Sequence, residues 1–153
     1  MKKGALKGGI IVASLFIIPS AVIVFAQESD LLRQIDEVLK QSDREIAQIR
    51  DELEHFSHLP IPEKPHASDL RQLDVTILEL ALEGVQREKK IFQEKRSWLL
   101  LKENGKISAE EMHERETALS QSVKPEIEQW RRKIKDAQER RSRIESESLK
   151  PTP

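Results

Sequence analysis

The chain has 153 residues, of which 35% are charged, and its 26 Lys and Arg nearly balance its 27 Asp and Glu. This charged fraction exceeds the roughly one quarter that is usual in globular domains. Beyond residue 26 only two glycines remain, Gly84 and Gly105, with no Tyr and no Cys, too few turn-forming and aromatic residues for a sheet domain. The composition therefore predicts an all-α chain. It also excludes disulfides and thiolate metal sites, and the interleaved charges argue against a nucleic-acid partner, which needs a basic face.

Residues 8–27 form an uncharged, mostly apolar stretch that follows three lysines. A basic start, an apolar centre and small residues before Gln27 are typical of a secretory signal peptide over residues 1–26. The same stretch, rising about 1.5 Å per residue, would also span about 30 Å of hydrocarbon as an uncleaved anchor. In either case the flanking charges predict an exported, periplasmic or otherwise extracytoplasmic protein. An intact mass beginning at Gln27 would indicate cleavage, and a mass that retains Met1 would indicate an anchor.

The first predicted helix covers about residues 30–57 and has a coiled-coil pattern. Its seam positions recur at alternating gaps of three and four residues, and only Ser42 among them is polar. The helix should end at a proline-rich linker over residues 58–67, which favours an extended chain. The pattern leaves open whether this helix folds back onto the others or pairs with another chain. The seam positions are Leu32, Ile35, Leu39, Ser42, Ile46, Ile49, Leu53 and Phe56.

The second predicted helix covers about residues 69–103. Apolar residues in its first half occupy more than one stripe, which predicts a middle helix covered from two sides. Ser68 or Asp69 is expected to cap its start, and Asn104-Gly105 is typical of a helix end.

The third predicted helix covers about residues 108–148, before a tail at 149–153 that we expect to be disordered. Ser108 and Glu111 have the spacing of a capping box. Pro125 removes one hydrogen bond of the helix, which predicts a kink or break near this residue.

These elements predict that residues 27–148 form a helical hairpin or bundle of three long amphipathic helices. The turn at 104–107 makes the second and third helices antiparallel. Trp98 and Trp130 lie at unequal distances from that turn, so they should not pack on each other, and each is expected to anchor a core or a dimer interface. The seams are narrow and bury little apolar area within one chain. We therefore predict a homo-oligomer, most simply a homodimer.

Three of the four histidines cluster in the sequence: His55, His58 and His66. Imidazole ligands suit Zn²⁺, Ni²⁺ or Cu²⁺, and two histidines three residues apart can share a helix face. The alternative is a solvated helix end with incidental histidines. Adjacent acids elsewhere lack a predicted desolvated pocket, so the sequence predicts neither a catalytic site nor an organic cofactor.

The leading hypothesis is therefore an exported, non-enzymatic helical protein that binds other proteins, as an adaptor, an assembly factor or a chaperone-like factor. A metal-responsive envelope protein is the second hypothesis, and a membrane-tethered coiled-coil rod anchored by residues 8–27 is the third. The layout resembles that of two exported helical types, stress-type periplasmic chaperones and inner-membrane spanins. The chain lacks the Leu-Thr-x-x-Gln repeats of the former and shares with the latter only an N-terminal hydrophobic segment and a coiled coil.

Overall fold

The computed structural model describes residues 28–64 and 66–148. Within this part of the chain there is no strand, so the prediction of an all-helical chain with three helices is confirmed. The predicted signal or anchor and the predicted tail at 149–153 lie outside the described residues. No helix of the described part is both long and apolar enough to cross a membrane. The helices are α1 (Glu28–His58), α2 (Ala67–Glu103) and α3 (Ala109–Ser148).

Helix α1 folds back onto α2 within the same chain. All eight seam positions of α1 are buried or half-buried, because α2 covers that face. Two ion pairs define the antiparallel register: Asp36 accepts from Arg96 at 2.6 Å, and Asp43 accepts from Lys89 at 2.6 Å. The Arg96 hydrogen bond lowers the pKa of Asp36, so this carboxylate stays charged in the fold.

The apolar residues between α1 and α2 form two separate clusters. One contains Ile46, Ile49, Leu78, Ala81 and Val85, all at most 9% exposed. The other joins α1, α2 and α3 near the 104–107 turn through Ile35, Leu99 and Met112, with Trp98 packed against it.

A polar layer separates these two clusters. In it, Ser42 is only 4% exposed, and its hydroxyl donates to the Val38 carbonyl at 3.0 Å. The polar seam position is therefore satisfied within its own helix, at little cost to the fold.

Helix α3 lies antiparallel to α2 on the other flank. Arg87 of α2 pairs with Glu126 of α3 at 3.0 Å, while Lys89, two residues further on, pairs with α1. Two residues rotate by about 200° around a helix, so α1 and α3 lie on opposite flanks of α2 at this level. No Cα atom of α1 comes within 8 Å of one of α3 among the described residues. The three helices thus form a bundle-like arrangement with α2 in the middle, and their apolar residues meet in the cluster near the 104–107 turn.

Helix α3 is continuous through Pro125, so the chain does not break there, while a kink at this residue stays a prediction. Proline removes only one hydrogen bond of the helix, and Val123 remains 5% exposed beside it. Packing on α2 therefore holds the helix together across the proline.

The start of α3 and the end of α2 have the residues that local helix-end signals predict, whereas the start of α2 does not. The Ser108 hydroxyl accepts from the Glu111 backbone N–H at 3.0 Å, which is the serine half of a capping box, while the Glu111 carboxylate accepts from Arg115. Gly105, at φ 66°, ends α2 with the Gly105 N–H bound to the Lys102 carbonyl, the left-handed helix end expected of glycine. The start of α2 differs from the prediction: His66, at φ 61° and without a side-chain capping bond, precedes the helix in place of Ser68 or Asp69.

Candidate functional site

The three sequence-predicted metal ligands all lie at the surface around the α1–α2 linker. His55 and His58 are in the last turn of α1, and His66 precedes α2, with its Nδ1 3.4 Å from the Asp69 carboxylate. Among the described residues, no group of three or more His, Cys, Asp or Glu is placed to hold a metal ion. Metal binding by these histidines stays a prediction.

The most distinctive geometry lies in the seam between α2 and α3. Gly84 is the one glycine inside a described helix, and the Trp130 indole of α3 occupies the space where its side chain would be. An added Cβ at Gly84 would lie 1.0 Å from Cη2 and 1.6 Å from Cζ2 of Trp130. Trp130 thus packs on α2, whereas Trp98 packs near the 104–107 turn, as their unequal distances from that turn predict.

Next to this contact the two helices leave a cleft of about 390 Å³. Its apolar wall consists of Ile91 and Phe92 from α2 with Ile127 and Trp130 from α3. All four side chains are half-buried. Since ligand sites in helical bundles typically lie between helices and are mostly apolar, this cleft is a candidate binding site.

Charged side chains surround the cleft. The Arg87–Glu126 pair joins the two helices, so those two charges offset each other. The remaining charged residues around the cleft are Glu83, Glu88, Lys90, Lys95 and Lys133.

Glu88 is the charged residue of the cleft whose environment changes its ionisation. Burial raises the pKa of Glu88, and the Glu45 carboxylate of α1 raises it further. Glu88 is therefore influenced from both flanks of α2, since it lines the α2–α3 cleft and Glu45 belongs to α1.

Glu88→Gln is expected to stabilise the fold at neutral pH. Because the pKa of Glu88 is higher in the folded chain than in the unfolded one, stability is greatest below the unfolded value and falls as the pH rises through the folded value. The gain should be on the order of 0.5 kcal/mol, since Glu88 is only half-buried and water screens Glu45. Urea unfolding at pH 7 should reveal this gain, and it should disappear at about pH 4. Equal stabilisation by the exposed control Glu94→Gln would contradict this cause.

The far end of the same seam contains a buried ion pair. Asp74 is 8% exposed, and Arg141 Nε donates to it at 2.5 Å while Arg141 Nη1 donates to Glu145 at 2.9 Å. The hydrogen bond to Asp74 raises the pKa of Arg141 above its usual value. The pair sets the register of α2 against α3.

Sequence reasoning missed the cleft and this ion pair. The available signals were Gly84, an isolated glycine in a helical pattern, and Asp74, an acid in the apolar half of α2. A mid-helix glycine often marks close packing, but its partner Trp130 becomes identifiable only once the helix register is known.

No family model matches this chain, and no curated protein or solved structure shows significant similarity to it.

Proposed function

We propose that the chain is an exported, non-enzymatic helical protein that works by binding proteins along α2, in first place a second copy of itself. The observation that supports this is a stripe on α2, which we call the α2 stripe: Leu73, Leu80, Ile91 and Trp98. These four side chains are all half-buried.

The spacing of the α2 stripe places its members on one flank of the helix. They follow one another at seven, eleven and seven residues, each close to a whole number of helical turns. Arg87, which pairs with α3, lies seven residues after Leu80 on the same flank. The stripe therefore runs along the edge of the α2–α3 seam for roughly 37 Å.

These side chains stay partly exposed because α1 and α3 cover α2 from two flanks and leave part of its circumference open. Among the described residues, no Cα atom of α1 lies within 8 Å of one of α3. Half-buried apolar side chains gain free energy when a partner removes them from water, about 25 cal/mol per Å². A partner helix along the stripe, from a second copy or from another envelope protein, would provide that burial.

The export part of this proposal depends on residues 8–27 of the sequence. After cleavage the helices would act as an extracytoplasmic adaptor, assembly factor or chaperone-like protein. With the segment retained, the same helices would form a membrane-tethered arm, and their partners would belong to envelope complexes.

Leu80→Ser tests the α2 stripe. We expect the unmutated protein to sediment as a dimer at micromolar concentration. Leu80 is already half-buried in the single chain, so a partner buries only its exposed remainder, about a third of the 1.5–3 kcal/mol of a whole leucine in each of two subunits, and Leu80→Ser should weaken dimerisation about tenfold. Sedimentation velocity over a concentration series measures this. The matched control is Glu79→Ser, at the exposed neighbouring position, which should leave the dissociation constant unchanged. A compact monomer at tens of micromolar would disprove self-association.

A further inference from the structure

We infer that the cleft between α2 and α3 binds a single-chain anionic amphiphile, of the class of fatty-acid anions. The cleft shares Ile91 with the α2 stripe, but the two proposals differ in the ligand and in the measurement that tests them. Three features of the cleft favour such a ligand: its size, its apolar wall and the charges around it.

The size of the cleft selects a small ligand over a protein segment. Its volume is about 390 Å³, within the range of about 300–1,000 Å³ that is usual for small-molecule sites. A single turn of α-helix, about 10 Å across and 5.4 Å long, already fills on the order of 400 Å³. The cleft would therefore hold at most one turn of a partner helix, whereas a hydrocarbon chain would fit inside it along its length.

The wall of the cleft suits a hydrocarbon chain. Ile91, Phe92, Ile127 and Trp130 line it from both helices, and each is half-buried. A chain in contact with these four side chains would complete their burial, and the gain is proportional to the apolar area removed from water.

The charges around the cleft favour an anionic head group. Three lysines, Lys90, Lys95 and Lys133, face two glutamates, while Arg87 is paired with Glu126. The lysines come from both helices, and their long stems can lie on the apolar wall while the ammonium groups remain in water. One carboxylate head would balance the excess of one positive charge.

The binding test uses the fluorescence of Trp130. The chain has only two tryptophans, so Trp98→Phe leaves Trp130, a member of the cleft wall, as the single emitter. We would titrate this variant, in the form recovered from cells, with sodium dodecanoate below its micelle concentration. The expected result is a saturable change in Trp130 emission. Dodecyltrimethylammonium, with the same chain and a cationic head, should bind at least about tenfold more weakly.

Charge reversal locates the site. Lys95→Glu with Lys133→Glu should weaken dodecanoate binding at least about tenfold. The matched pair Lys124→Glu with Lys135→Glu, both exposed on α3 and outside the cleft, should leave it unchanged. Ile127→Phe, which fills the cleft and keeps every charge, should also weaken binding, and circular dichroism checks that each variant folds.

Three results would overturn this inference: no saturable response to dodecanoate, equal affinity for the cationic amphiphile, or equal loss in the two charge-reversed pairs. A saturable response to an acidic amphipathic peptide with none to dodecanoate would also overturn it, since the cleft would then serve a protein partner. Because dimerisation is measured without amphiphile, a monomeric protein that binds dodecanoate would disprove only the proposed self-association.

Discussion

Gly84→Ala is expected to destabilise the fold by about 1–3 kcal/mol, the usual cost of overpacking a well-fitted contact. The added methyl group would lie 1.0 Å from Trp130 Cη2, so the whole indole must move out of its place on α2. At an open helical position the same substitution would stabilise by up to about 1 kcal/mol, because alanine favours the helix. The steric cost should outweigh this gain, and urea unfolding followed by circular dichroism measures the difference.

The effect of Gly84→Ala on the free energy of unfolding should change sign when Trp130 is replaced. In a Trp130→Leu background, Gly84→Ala should be neutral or stabilising, because the smaller side chain leaves room for the methyl group. Gly105→Ala is the control: Gly105 has φ 66° and no other atom within 4 Å of an added Cβ. It should cost about 1 kcal/mol in both backgrounds, from backbone strain alone. An unchanged effect of Gly84→Ala in the two backgrounds would show that Trp130 does not occupy this space.

Arg141→Ala is expected to destabilise the fold by about 2–4 kcal/mol, because it leaves the Asp74 carboxylate buried without its partner. Asp74 is 8% exposed, so water reaches it poorly. The estimate lies toward the low end of measured buried pairs, since Arg141 itself is 27% exposed and water can partly replace it. The exposed neighbour Arg140→Ala should change stability by less than about 0.5 kcal/mol.

Replacing both partners separates the cost of an orphaned charge from the net contribution of the pair. Asp74→Leu together with Arg141→Leu should recover most of the lost stability, because two apolar side chains in a buried seam remove both desolvation costs. Chemical unfolding of Asp74→Leu, of Arg141→Leu and of the double variant gives the interaction energy between the two side chains. If the double variant were as unstable as the sum of the single ones, the ion pair would not be the cause.

The α1 seam and the cap of α3 were predictable because each depends on nearby residues alone. A seam with alternating gaps of three and four places Ile35, Ser42 and Ile49 on one face whatever covers that face. The Ser108 cap joins atoms three residues apart. In the same way, the breadth of the apolar surface on α2 predicted a helix with neighbours on two sides.

The start of α2 and the continuity of α3 were not predictable in this way. Ser68 and Asp69 were the expected caps, whereas the chain leaves the α1–α2 linker so that His66 precedes the helix. At Pro125 the local rule predicts an interruption, but the packing of α3 on α2 stabilises the helix across it.

Helical periodicity and helix-end signals act over a few residues, so the helical class, the three helices and the buried face of α1 can be predicted from the order of residues alone. The folding of α1 back within the chain, the contact of Trp130 with Gly84 and the ion pair of Asp74 with Arg141 become visible only in the packed structure. That structure also brings Lys95 and Lys133 to one cleft. These contacts join residues 38 to 67 positions apart in the sequence, and they depend on the register between whole helices. That register is the sum of many small packing terms along each seam, so no local pattern specifies it.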